Sequence, residues 1–134
     1  MRKELTDEWQ DRGVKKGVEY AILTDEITRA WSGMTTRQYK KLKGLKKENL
    51  RDNMSTTEII LNMLAETSTK DISQASKPET FEENIEVARR GGDVSGIAKQ
   101  TLEAETGKPG ITSQNARHIN AVVTGMIEGV VGAE

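Results

Sequence analysis

An all-α fold, a compact bundle of six or seven short helices with no sheet, is predicted by three features of this chain. Apolar residues recur at three- and four-residue spacing along most of its length. No alternating apolar and polar run reaches the length of a strand. Capping signals also fall where the apolar stripes begin and end: Thr35, Ser55 and Thr80 ahead of them, Gly33 and the Gly107-Lys108-Pro109-Gly110 turn behind.

Leu5 and Trp9 lie one turn apart and predict a short helix over 3–12, which Gly13 and Gly17 then interrupt. From Val18 the stripe Tyr20, Leu23, Ile27, Trp31, Met34 marks the next helix, closed at Ser32-Gly33. Thr35 or Thr36 caps a helix carrying Tyr39 and Leu42. Gly44 breaks that helix, and Leu45 and Leu50 resume its apolar face beyond a bend. The clearest helix starts at Ser55, where Ser55 and Glu58 form a capping box. Ile59, Ile60, Met63 and Leu64 are its expected core face, with Ile60 and Leu64 against the Tyr20–Trp31 helix and Asn62 and Glu66 opposite. Thr67-Ser68-Thr69 weakens it, and 73–78 reads as a loop.

Pro78 suits a first-turn position, and Thr80 with Glu83 forms another box ahead of the Phe81, Ile85, Ala88 face. At Gly91-Gly92 the phase changes. Val94, Ile97, Ala98 and Leu102 predict a separate helix capped by Asp93. Residues 113–134 form a final amphipathic helix, appended to a helical domain over 1–112. Its unbroken stripe runs from Ile119 to Val131, and Gly125 and Gly129 make it dependent on packing. That helix can dock on the chain's own core or on a second subunit. Its terminal position favours a homodimer interface through Val123, Met126, Ile127 and Val130.

Composition narrows the function classes. With 34% hydrophobic and 31% charged residues, a single core closes only if the apolar positions are well patterned. Cysteine is absent and His118 is the single histidine, which excludes disulfides, thiolate metal sites and paired-imidazole sites. No apolar run approaches the ~18 residues of a membrane span, so a soluble, cytoplasmic chain without membrane association is expected. The net charge of −1 hides an asymmetry: residues 35–51 hold seven basic groups and one acid, Glu48. Arg37, Lys40, Lys41, Lys43, Lys46, Lys47 and Arg51 are therefore the candidate surface for nucleic acid or an acidic partner. LKGLKK has only one glycine of a helix-hairpin-helix turn, since Lys46 replaces the second.

KGLKKENLRDNMSTTEIILNMLAETST resembles the C-terminal half of the DNA-damage-inducible protein D family and related BRO-type prophage antirepressors. The matching positions are Lys43, Gly44, Leu45, Lys46, Lys47, Asp52, Met54, Thr57, Glu58, Asn62, Thr67 and Thr69. GGDVSGIAKQTLEAETGKPGITSQNA is similar to the segment that follows in antirepressor-like members, so the likeness spans roughly residues 20–116. Nothing here corresponds to the larger BRO-type DNA-binding domain that usually precedes this region, and Ala65 stands where some members carry arginine. The resemblance implies a regulatory role in a bacterial or prophage DNA-damage response, with a phage repressor or a recombinase as partner.

No catalytic constellation emerges. A capped helix start accounts for Thr56, Thr57 and Glu58. His118 near Ser113 and Asn115 lacks a patterned acid and a nucleophile elbow. Glu82, Glu83, Glu86, Glu103 and Glu105 lie at helical distances from Arg89, Arg90 and Lys99, as surface pairs do. The expectation is a binding module that is not an enzyme, with no cofactor, metal or small-molecule substrate. DNA or a DNA-associated regulatory protein is its partner. The alternative is a protein-interaction and oligomerisation domain that binds a repressor or recombinase instead of DNA.

Overall fold

The computed structural model describes residues 2–113. Among them are five α-helices and one 3-10 turn: α1 Arg2–Asp11, α2 Val18–Ser32, α3 Thr36–Leu42, the turn Arg51–Asn53, α4 Thr56–Ser76 and α5 Phe81–Thr106. The described residues contain no strand. The all-α class stands. The expected six or seven helices reduce to these five partly because two predicted helices are one. The expected helix over 113–134, with Val123, Met126, Ile127 and Val130, lies outside the described residues apart from Ser113, as does His118.

The capping signals at Gly33, Thr35 and Ser55 act as expected. Gly33 takes the left-handed conformation (φ 78°) and its N–H donates to the Arg29 carbonyl, closing α2. Thr35 and Gln38 form a reciprocal capping box on α3, and Ser55 and Glu58 form one on α4. Thr80 accepts from the Glu83 N–H, but the Glu83 carboxylate accepts from the Glu79 N–H, so that box is half formed. Pro78 lies two residues ahead of this cap, outside the first turn.

α5 is the spine, packed on both α2 and α4, while α1 lies on α4 and α3 on α2. Gly91 and Gly92 are interior to this helix, and Asp93 is in mid-helix. They permit close approach: a Cβ at Gly91 would stand 2.0 Å from Thr69 Oγ1, and one at Gly92 would stand 2.5 Å from Ala30 Cβ. The propensity cost of two glycines is offset by burial against two neighbouring helices. Ser95 completes the seam by donating to the Leu61 carbonyl at 2.5 Å. With Gly91 facing Thr69 and Ser95 facing Leu61, α4 and α5 run antiparallel.

The same seam corrects the expected core faces. On α4 the buried side chains are Glu58, Leu61, Ala65, Glu66, Thr69 and Ser73, whereas Ile60 is 59% exposed. On α5, Val94, Ile97 and Leu102 are exposed and Ser95 is buried. α4 continues through Thr67-Ser68-Thr69, because Thr69 and Ser73 are packing residues here. Ser73 Oγ donates to Glu8 Oε2 at 2.7 Å, tying α4 to α1. The rest of the core is conventional: Leu5, Trp9, Leu23, Ile27, Trp31 and Tyr39 are buried, with Trp9 packed on the Tyr20 ring at 5.3 Å. Leu42 is exposed, and the backbone after Gly44 (φ 71°) turns away instead of bending the helix onward.

Candidate phosphate-binding face and the cavity behind it

Thr35 starts α3 and Gly44 ends its path, so the basic segment divides into one short helix and a loop. Tyr39 is the inward anchor of α3, fully buried beside Trp31 with ring centroids 5.9 Å apart. Fixing Tyr39 inward turns Arg37, Lys40 and Lys41 outward, since helix positions one or two residues apart cannot share a face. Arg37, Lys40, Lys41 and Lys46 line one shallow hollow of about 430 Å³. Lys47 is exposed beyond it. These five side chains make no salt bridge with a described residue. Glu48, the one acid of the segment, is occupied locally. Its carboxylate accepts from the Lys46 N–H at 2.7 Å. Backbone N–H bonds from Lys46, Glu48 and Lys47, with the Lys46 charge, hold it below the usual carboxylate range.

Lys43 and Arg51 do not belong to this open face. Lys43 is fully buried and its Nζ donates to Glu58 Oε1 at 2.7 Å, with the ammonium 5.9 Å from the centre of the Tyr39 ring. Glu58 also accepts from the Tyr39 hydroxyl, the Ser55 N–H at 3.4 Å and the Thr112 hydroxyl at 3.4 Å. One carboxylate thus caps α4, neutralises a buried lysine, and gathers α3 and the chain after α5. Burial, then the hydrogen bond to Glu58 and its charge, push the Tyr39 phenol far above its ordinary value. Lys43 is a structural cation, because an ammonium without access to water is stable only beside a charge of opposite sign.

Arg51 takes a different acid. Its guanidinium donates to Glu66 on the buried face of α4, where Arg2 Nη1 also approaches at 3.5 Å. Arg2 Nη2 donates to Thr24 Oγ1 at 2.6 Å, and its guanidinium lies 5.2 Å from the Trp9 ring centre. Burial lowers the Arg2 pKa, Glu66 raises it and Arg51 lowers it again; the group remains a cation. Arg2, Arg51, Lys40, Asn62 and Glu66 line a cavity of about 360 Å³ between α2, α3 and α4. Arg2 and Lys40 also border an outer hollow of about 550 Å³ with Arg37, Lys46 and Asp25, whose Oδ1 accepts from the Thr36 N–H at 3.2 Å. The cavity therefore shares Lys40 with the basic hollow, and the outer hollow adjoins both.

Of the seven cations expected from the sequence, the structure brings Arg37, Lys40, Lys41 and Lys46 together. Lys47 is exposed but does not line the hollow, Arg51 turns to the cavity, and Lys43 is sequestered. Sequence reasoning missed Arg2 and Glu66. Arg2 lies 64 positions from Glu66, and no local pattern joins residues so far apart. Among the described residues there is no group of acidic or histidine side chains placed to hold a metal, and no helix long and apolar enough to cross a membrane. No family model, curated protein or solved structure matches this chain.

Proposed function

We propose that this chain is a non-enzymatic regulatory module that associates with nucleic acid through Arg37, Lys40, Lys41, Lys46 and Lys47. Its setting is a bacterial or prophage DNA-damage response, of the kind the protein D and antirepressor resemblance implies. One observation carries this reading: cations without an acidic partner converge on one hollow, although the whole chain is slightly acidic. An unneutralised basic surface attracts the phosphate backbone with little regard for sequence. Aromatic stacking contributes little, because Tyr39, the one ring in the segment, faces the core.

The test is binding of unrelated oligonucleotides over a range of salt. Replacing Arg37, Lys40, Lys41 and Lys46 with glutamine flattens the dependence of log K on log salt. The expected change is about 0.7 to 0.9 for each phosphate that the variant no longer neutralises. Affinity and slope unchanged by the fourfold variant would overturn the assignment. The second reading, a protein-interaction surface for a repressor or recombinase, is favoured by the exposed Ile60, Met63, Val94, Ile97 and Leu102 on α4 and α5. Binding through those residues is nearly indifferent to salt.

A further inference from the structure

The two guanidinia on Glu66 hold more positive charge than one carboxylate neutralises. Arg2, Lys40 and Arg51 line the cavity against Glu66 alone, a surplus of two positive charges. Glu66 is 4% exposed and forms the floor, positioning Arg2 and Arg51 with part of each fork committed to it. The Lys40 ammonium and the Asn62 amide have no described side-chain partner, although both are half-buried at the rim. The Thr24 and Thr28 hydroxyls donate to the Tyr20 and Thr24 carbonyls, so they supply no donor to a ligand. The remaining donors are guanidinium N–H groups, an ammonium, the Thr36 hydroxyl and the Asn49 and Asn62 amides.

That donor set fits a tetrahedral oxyanion with several acceptor oxygens. Its surplus of two charges fits a phosphate monoester, which carries about −1.5 to −2 at neutral pH, better than a backbone diester. The volume, about 360 Å³, lies within the roughly 300–1,000 Å³ of small-ligand sites. The cavity lies against α2 and α4 and joins the outer hollow through Arg2 and Lys40. A strand entering along Arg37 and Lys46 would place its terminal phosphate here.

We infer that the cavity of Arg2, Lys40, Arg51 and Asn62 is a subsite for the terminal phosphate monoester of a nucleic-acid strand, so that the chain prefers phosphorylated ends. The inference rests on the nucleic-acid reading of the basic face and specifies which part of the strand it holds. The experiment compares single-stranded oligonucleotides of one sequence bearing a 5′-phosphate, a 3′-phosphate or hydroxyls at both ends. Inorganic phosphate and a mononucleotide serve as competitors. One phosphorylated strand is expected to bind about tenfold or more tightly than the hydroxyl-ended one, the gain a charge-assisted hydrogen bond supplies. Asn62→Asp, nearly isosteric and adding a negative charge at the rim, abolishes that preference while the hydroxyl-ended strand still binds. Lys40→Gln reduces it in the same direction, and thermal melts report whether each variant is folded.

Equal, salt-sensitive binding of all three strands would overturn the end-phosphate site and leave the basic face standing. Binding of no strand would overturn both. Inorganic phosphate or the mononucleotide binding as tightly as the phosphorylated strand would assign the cavity to a free phosphate ligand and overturn the strand-end assignment. Retention of the preference in folded Asn62→Asp would place the phosphate elsewhere and also sink the inference.

Discussion

Lys43 and Lys40 lie one turn apart in the same basic run, yet they do opposite work. Lys43 is sealed beside Glu58, and Lys40 faces the hollow. Lys43→Ala is expected to cost ~3–5 kcal/mol in denaturant unfolding, because it leaves a buried carboxylate without its counter-charge. Lys40→Gln should change stability by less than ~0.5 kcal/mol, as surface substitutions do. Comparable losses for both would contradict the burial of Lys43. Tyr39 gives the same cluster a pH signature. Its phenol is held protonated in the folded state by burial and by Glu58, while the unfolded phenol titrates near the ordinary value of ~10. Below that value the two states bind the same proton and the contribution is complete. Above it the unfolded state releases the proton first, so stability falls as pH rises. Alkaline unfolding should therefore begin above about pH 10, and Tyr39→Phe should flatten that limb while removing ~1–3 kcal/mol at neutral pH. An unchanged alkaline limb in the phenylalanine variant would show that another group governs it.

At the scale of elements, the α4–α5 hairpin is held by small and polar residues where large apolar ones would be expected. Gly91 over Thr69 and Ser95 on Leu61 bring the α5 and α4 backbones close, and Gly92 over Ala30 does the same between α5 and α2. Gly91→Ala tests this directly. Intrinsic propensity favours alanine in a helix by up to ~1 kcal/mol, but the new Cβ would sit 2.6 Å from the Thr69 backbone nitrogen. The backbone cannot rotate aside as a side-chain end can, so overpacking wins. The variant should lose ~1–3 kcal/mol, read from urea unfolding. A gain in stability would mean that α5 stands off from α4.

Across the whole molecule, the same device separates structural charge from available charge. Buried carboxylates on α4 consume particular cations: Glu58 takes Lys43, and Glu66 takes Arg51 with Arg2. The remaining cations of the basic segment stay on one side, and the cavity beneath them retains surplus charge. On the proposed reading, the salt slope reports on the basic hollow and the terminal-phosphate preference on the cavity that shares Lys40 with it. Nucleic-acid affinity should respond to Arg37, Lys41 and Lys46 and end preference to Asn62 and Arg51, with Lys40 contributing to both, a division a uniformly basic patch would not give.

Much of the fold was legible because it rests on local physics. Hydrophobic periodicity identified α2, and side-chain caps fixed the starts of α3, α4 and α5 through bonds that span only three residues. The run of lysines also marked the stretch in which the open cations are found. Three matters were decided only by tertiary packing. Ile60 and Leu61 are neighbours with equal claim to a core by composition, and α5 selects Leu61. Gly91-Gly92 reads locally as a break, and only facing Thr69 and Ala30 make it the point of closest approach in a continuous helix. Lys43 reads locally like any other lysine of its run until Glu58, fifteen residues on, claims it. Caps and stripes depend on separations of a few residues, which the chain order itself guarantees. Burial and charge pairing depend on which surfaces meet, and that information is spread over the whole chain.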